Sequence, residues 1–527
     1  MKKISLLFLS LLTCLFCFSQ SSDPAARFAS TINTQGLQKD LTIIAGPDME
    51  GRETGTEGQR KAAAYIESRM KEIGLTTAKS LGGYQQTYPL FKDSLISSSL
   101  SINNINGIYG TDFITSVTQN ENGIFSSGTI VFAGYGIKDT EYDDYAGLDV
   151  KGKIVLFFQG EPKADGKYIL SGTTKASSWT YPGISKKLEL ARQLGAIGAL
   201  IINPIQPSFT ERAIENSKKT NLYFPEATES KKLNYAMLSH GFLKNLFPAE
   251  ADLLINTAKK YKTFTAPQMF SKQMETTIKF KKDRNNTLAS NVIGILEGTD
   301  LKDECIVLSG HYDHLGMHDG QIYYGADDDG SGTVAVLQMA EAFIKAKAAG
   351  KGPRRSIIFI TVSGEEKGLW GSEYYSNHPI FPLDKTSADL NTDMVGRIDT
   401  ERKMDDTLNY IYVIGHDKIS SELGELNIEV NKKNTQLVLD YKFDDPNDPN
   451  RIFFRSDHYN FARKGVPILF FYDGMLQADY HKPTDTVDKI NWELYQKRVQ
   501  MIFHTAWAVA NKDKLMKRDL PIPTMTR

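Results

Sequence analysis

Cys305-Ile306-Val307-Leu308-Ser309-Gly310-His311-Tyr312-Asp313-His314-Leu315-Gly316 carries an apolar run straight into a polar, histidine-bearing turn. An Ile/Val/Leu run without polar alternation is the pattern of a strand covered on both faces, as in a parallel sheet flanked by helices. The same texture recurs at 291–296, 356–362, 411–414 and 466–471, with helical patterns between. In 333–347, Val336, Leu337, Ala340, Phe343 and Ile344 share one helix face. The expected fold class is α/β: three layers, with a mixed, mostly parallel sheet flanked by helices. In that architecture ligands gather where loops leave the strands' carboxyl ends. The polar clusters of this chain fall there.

Upstream, residues 57–73 have helical spacing (Ala62, Ile66, Met70, Ile73) with Gly74 as a stop, after a polar, Gly-rich loop at 49–56. Between 105 and 275 the texture changes to short β-type runs with Gly-rich turns, such as 128–134 and 153–158. A helix-then-strand unit follows at 184–194 and 197–202. This reads as an α+β domain inserted between a first segment, 21–104, and a main segment, 276–527. Residues 1–20 read as a secretory signal: Met1-Lys2-Lys3 supplies the positive end and Ile4 to Phe18 the apolar stretch. The chain is therefore expected to be exported, to the periplasm or beyond. Signal removal would leave Cys305 as the single thiol, with no internal disulfide, and its apolar setting makes it a buried filler.

Composition excludes other classes. With 62 Lys+Arg against 63 Asp+Glu the net charge is −1, which lacks the basic excess of a nucleic-acid binder. Hydrophobic residues at 41% and aromatics at 10% exclude a disordered chain. No apolar run after the signal is long enough to span a membrane.

Five polar clusters remain: the turn at 310–316, Gly325-Ala326-Asp327-Asp328-Asp329-Gly330-Ser331-Gly332, Ser363-Gly364-Glu365-Glu366-Lys367-Gly368, Leu390-Asn391-Thr392-Asp393, and Asp479-Tyr480-His481. Singly, each has a plain reading: a strand-end histidine, a helix cap, a solvated turn, ordinary loop polarity. Together they bring histidines and carboxylates to one edge of one sheet, the N/O donor set suited to zinc. Two metals about 3.5–4 Å apart need a shared carboxylate plus a histidine and a carboxylate each. His311, Asp328, Glu366, Asp393 and His481 supply that set, which leaves Glu365 free as a base.

On GHYDHLG, ADDDGSG, SGEEKGLWGSEYY, NTDMVG, RSDHYNFARKGVP and YHKPTDT, the chain resembles the secreted bacterial zinc aminopeptidases with co-catalytic dinuclear sites. Their wider family includes glutamate carboxypeptidase and the transferrin receptor. The insert, with YDDYAGLDVKGKIVL and LARQLGAIGALIINP, resembles a protease-associated domain. The resemblance implies a zinc-exopeptidase-like fold and two zinc ions, with His311, Asp328 and Asp393 on one and Asp328, Glu366 and His481 on the other. It also implies Glu365 as general base, Asp313 as the carboxylate that orients His311, and Tyr480 as an oxyanion donor. Asp329 departs from the family's usual Asn, which leaves Asp327 as a competing bridge. The expected activity is peptide hydrolysis by a metal-activated water, most simply as an aminopeptidase on peptide substrates. A carboxypeptidase or dipeptidase on the same platform, and a non-catalytic binding protein of the same fold, are the alternatives. Arg455 is a candidate substrate contact, and the acidic loop 444–450 reads as solvated rather than calcium-binding, since it lacks the EF-hand glycine.

Overall fold

The computed structural model describes residues 23–140, 142–225, 231–259, 269–403, 409–445 and 447–523. The expected export signal lies outside them. The chain divides into two compact units, one containing the described residues up to Tyr88 and from Leu288 onward, the other Pro89–Thr287. The second is wider than the stretch read from texture, because the strands Gln85–Ile102 and Phe270–Leu296 run into it.

Elements of the first unit are numbered here in chain order. The helices are α1 (Pro24–Ala29), α2 (Thr34–Ile44), α3 (Glu57–Ile73), α4 (Gly332–Ala348), α5 (Trp370–Asn377), α6 (Leu423–Lys433), α7 (His458–Ala462) and α8 (Trp492–Asn511). The strands of its main sheet are β1 (Phe270–Leu296, of which 292–296 pair here), β2 (Leu301–His311), β3 (Arg355–Val362), β4 (Thr386–Thr392), β5 (Tyr410–Ile414), β6 (Val438–Asp440) and β7 (Ile468–Tyr472). Their order is β6-β5-β7-β4-β2-β3-β1. The central four, β7, β4, β2 and β3, are parallel; β1 runs antiparallel to β3, and β5 antiparallel to β7. The sheet is mixed and mostly parallel, as expected.

Both faces are covered. Strands β3, β4, β5 and β7 are buried along their whole length. Helices α4 and α8 pack on each other and on β2, β3 and β4, with α2 and α3 beside α4; α7 packs on β4 and β7 and carries α5. The expected helix at 57–73 forms with Thr56 as its N-cap and Gly74, at φ 96°, as its left-handed stop. Burial of the apolar faces of these helices removes their side chains from water at roughly 1.5–3 kcal/mol per large residue.

Register decides where function can lie. His311 pairs with Val362, Ser309 with Asn391 and Thr392 with Phe471, so the carboxyl ends of β2, β3, β4 and β7 finish level. Of strand β4, TSADLNT, the sequence pattern marks only the end, 390–392, as part of a polar cluster. Its polar side chains are paired inside the sheet: Ser309 Oγ donates to Asp389 Oδ1 (2.7 Å) and to Asn391 Oδ1 (3.0 Å). Cys305 is free and buried, as its setting predicts, and burial pushes its thiol up to about 12.

The second unit has its own mixed sheet, in the order 270–280, Gly123–Phe132, Ile154–Phe158, Gly198–Ile202, Tyr235–Leu238, Phe113–Ile114. The four middle strands are parallel, and helices Ile184–Gln193, Glu211–Lys218 and His240–Leu246 belong to the same unit. Among the described residues no helix is long and apolar enough to cross a membrane.

Candidate metal centre

Four level strand ends deliver the predicted residues to one place. His311 closes β2, Glu365 and Glu366 follow β3, Asp393 follows β4, and Tyr480 and His481 lie on the loop after β7. Asp328 sits in the turn that opens α4.

Asp328 stands between two groups. Its Oδ1 is 3.3 Å from His311 Nε2, and its Oδ2 is 3.2 Å from His481 Nε2. On the first side His311 Nε2 also lies 3.7 Å from Asp393 Oδ1 and 3.8 Å from Glu365 Oε2. On the second, His481 Nε2 is 3.0 Å from Glu366 Oε2, and His314 Nδ1 is 2.8 Å from Glu366 Oε1. Donors about 2.0–2.1 Å from a common tetrahedral ion stand roughly 3.3 Å from one another, and these separations cluster around that value. Several of these buried atoms, His311 Nε2, Asp328 Oδ2 and Glu366 Oε1, have no hydrogen-bond partner. Buried polar atoms are nearly always paired, so a converging set without partners fits a cation that satisfies all of them.

The other two acids of the triplet do different work. Asp329 accepts from the N–H groups of His311, Gly332 and Met394 at 2.8–3.0 Å, which ties three strand-end loops together. Asp327 accepts from Gly396 N–H (2.8 Å). The N–H groups of Asp327 and Asp328 are in turn held by the Asp485 carboxylate, at 3.0 Å and 3.1 Å. The geometry favours Asp328 over Asp327 as the acid that faces both groups.

Asp313 acts on His311 in a way the sequence only half conveys. The Nδ1 of His311 meets the backbone carbonyl of Asp313 at 3.0 Å, with the carboxylate at 3.6 Å, so Nε2 is turned to the centre. The carboxylate itself accepts from Thr54 Oγ1 (2.7 Å) and Glu365 N–H (3.2 Å). Thr54 and, two residues earlier, Arg52 were not anticipated. The buried Arg52 guanidinium donates to the carbonyls of Ile44, Tyr312, Tyr324 and Gly325 at 2.7–2.9 Å. Burial pulls its pKa down to about 10, opposed by Asp485 and Asp313, and it stays charged at neutral pH. An Arg in a Gly-rich loop gives no local sign of this; the only hint was that loop's unusual composition.

Charge is concentrated and only partly balanced. Burial opposes protonation of His311, yet Glu365 and Asp393 raise its pKa well above the usual value. His481 is likewise raised to about 10 against burial, by Asp328 and Glu366. Burial would lift Asp328, but His311 and His481 hold it well below the carboxylate range. Glu365 is pushed well up by burial, with Glu366 and Asp393 adding to it. It lines a small pocket with Asp393, Arg455, Ser456, Tyr472 and Tyr480, whereas Glu366 does not. Tyr480 stacks on His481 at 3.8 Å between ring centroids, and its hydroxyl accepts from Arg455 Nη2 at 2.9 Å.

A family model described as Peptidase family M28 matches residues 291–506. That stretch is a peptidase family M28 domain. The five ligand candidates and Glu365, Asp313 and Tyr480 all lie inside the M28 domain, while Arg52 and Thr54 lie outside the matched stretch. Aminopeptidase YwaD of Bacillus subtilis (strain 168) is 26% identical over 271 residues, which cover 47% of this chain and 51% of YwaD. A probable zinc metalloprotease of Pyricularia oryzae is 34% identical over 111 residues, 20% of this chain and 21% of that protein. The chain thus spans about half the length of the first relative and about a fifth of the second. Among solved structures, the aminopeptidase from Aneurinibacillus sp. strain AM-1 aligns over 95% of this chain and 100% of its own, at 18% identity and a TM-score of 0.48.

Proposed function

We propose that the M28 domain is a dinuclear zinc exopeptidase, an aminopeptidase that releases N-terminal residues from peptides. The observation that carries this reading is the pair of donor groups sharing Asp328, with buried atoms that no protein group satisfies. His311, Asp393 and Asp328 would hold one ion, and Asp328, Glu366 and His481 the other. Zinc there would polarise the scissile carbonyl and lower the pKa of a water at the centre. Glu365, facing the pocket with its pKa raised, is suited to take the proton of the attacking water and pass it to the leaving amine. Because Tyr480 accepts from Arg455, its own phenolic hydrogen is available to donate to the oxyanion. The names of the relatives, an aminopeptidase and a zinc metalloprotease, agree with this reading. The reading extends to 105–275 as a protease-associated domain and to export on the 1–20 signal, both on their sequence motifs.

One observation favours the second reading, a carboxypeptidase or dipeptidase: Arg455 offers the pocket a guanidinium of the kind that holds a free carboxylate. Elemental analysis of the purified protein, with aminoacyl arylamides assayed beside N-acylated dipeptides, separates them. We expect two zincs and cleavage of the arylamides. Activity confined to N-blocked substrates would reverse the choice, and a protein without zinc or activity after zinc addition would leave a binding module.

A further inference from the structure

We propose that His314 is a ligand of the second metal position, which would then hold two imidazoles, from His314 and His481, beside the carboxylates of Glu366 and Asp328. The inference rests on the dinuclear reading and adds a donor to it. His314 is fully buried, and neither of its ring nitrogens has a hydrogen-bond partner. Its Nδ1 lies 2.8 Å from Glu366 Oε1 and 3.9 Å from Asp328 Oδ2, two oxygens that are themselves unpartnered. The three side chains can each turn one donor atom into a single cluster.

A hydrogen bond from His314 to Glu366 is the simpler role for a histidine beside a carboxylate, but His314 Nδ1 and Glu366 Oε1 are each without a hydrogen-bond partner at a separation of 2.8 Å. Around the second position the separations of 2.8, 3.0, 3.2 and 3.9 Å bracket the ~3.3 Å edge of a four-donor shell. The ring is also held where it is. A Cβ on Gly325 would come within 2.5 Å of the His314 ring, so glycine leaves the space it fills. The His314 N–H donates to Arg52 O at 3.3 Å, and the Arg52 guanidinium grips the carbonyls of Tyr312 and Gly325 on either side. The ring is therefore pre-set before any ion arrives. With two imidazoles against one, the second position should fill first and bind more tightly.

Protein made with heavy-nitrogen histidine and loaded with a spin-active cadmium isotope reads the ligands directly. We expect one cadmium resonance split by a single histidine nitrogen and the other split by two. Replacement of His314 by Ala should reduce the second splitting to one nitrogen and weaken the tighter site by more than about 100-fold, beyond the loss of an outer hydrogen bond. Two resonances each split by one nitrogen in the unaltered protein would overturn the assignment while leaving the dinuclear reading intact. An unaltered protein that takes up no metal would overturn both. The count in the unaltered protein stands even if the Ala variant fails to fold.

Discussion

Two short acidic runs in the M28 domain, Asp327-Asp328-Asp329 and the Asp444, Asp445 and Asp448 of the loop after β6, each set three carboxylates within a few residues, and those carboxylates behave differently. In the later run every acid caps a turn. Asp444 accepts from the N–H groups of Gly415 and His416, Asp445 from Asn447, and Asp448 from Asn450 and Ile452. His416 and Lys418 lie against Asp444, and the lysine brings a positive charge to the one cluster there that could otherwise attract a metal. In the earlier run two acids also staple loops; Asp327 and Asp328 each keep an unpartnered oxygen, but that of Asp328 lies amid imidazoles, 3.2 Å from His481 and 3.9 Å from His314. Unsatisfied acceptors that converge on unsatisfied imidazoles, rather than the number of acids, distinguish a metal centre from a capped turn.

The comparison breaks first at Asp328. Its replacement by Ala should remove both metals and lower kcat/KM by on the order of 10³-fold or more, since the groups that stabilise the transition state go with them. Asp327→Ala should retain two zincs and instead cost about 1–3 kcal/mol of stability, because Gly396 N–H loses its acceptor. The reverse outcome, a silent Asp328 variant beside an inactive Asp327 variant, would shift the bridge by one residue.

The next largest effect separates the chemistry from the donors. Glu365→Gln keeps the shape but cannot accept a proton, so kcat should fall roughly 10²–10⁴-fold with zinc content unchanged. Glu366→Gln should lower zinc occupancy. Normal turnover by the Glu365 variant would remove Glu365 from the reaction.

Acidity gives a smaller, graded signature. In the metal-free protein the raised pKa of His481, about 10, means that its proton competes with zinc throughout the neutral range. His311 behaves likewise. Zinc affinity should therefore climb between about pH 6.5 and pH 10, as the proton to be displaced is held less firmly. Calorimetry in buffers of different ionisation enthalpy should register protons released on zinc uptake at pH 8; none released would contradict the placement of these imidazoles. The smallest effect belongs to the later acidic run: Asp448→Asn should leave zinc content and kcat alone and lower the melting temperature by no more than a few degrees, the scale of a lost turn cap. Calcium should not raise that temperature.

Much of this was legible from periodicity. Apolar runs announced β2, β3, β5 and β7, and their polar exits announced the centre, because a strand covered on both faces holds polar residues inside only where they find partners. Strand β4 was not legible. Its Ser387, Asp389 and Asn391 are buried and polar, and partners such as Ser309 that make this tolerable come from a strand far away in sequence. His314 was passed over for a related reason: HYDH offers two histidines, and only the folded turn shows that both approach carboxylates. Which acid of the triplet faces both groups also needed the backbone, since neighbouring side chains in a turn diverge.

The grip of Arg52 on Tyr312 and Gly325 joins residues about 260 positions apart, with the whole of 89–287 threaded between them. During synthesis the loops that carry His311, His314 and Asp328 are made long after Arg52 has left the ribosome, and the arginine must wait for them. Closing so long a loop costs entropy that local contacts cannot repay. The centre should therefore be among the last parts of the first unit to become ordered, and a fragment cut to 291–506 would lack the cation on which its loops converge. Minimal versions of this protein should start no later than the loop that holds Arg52.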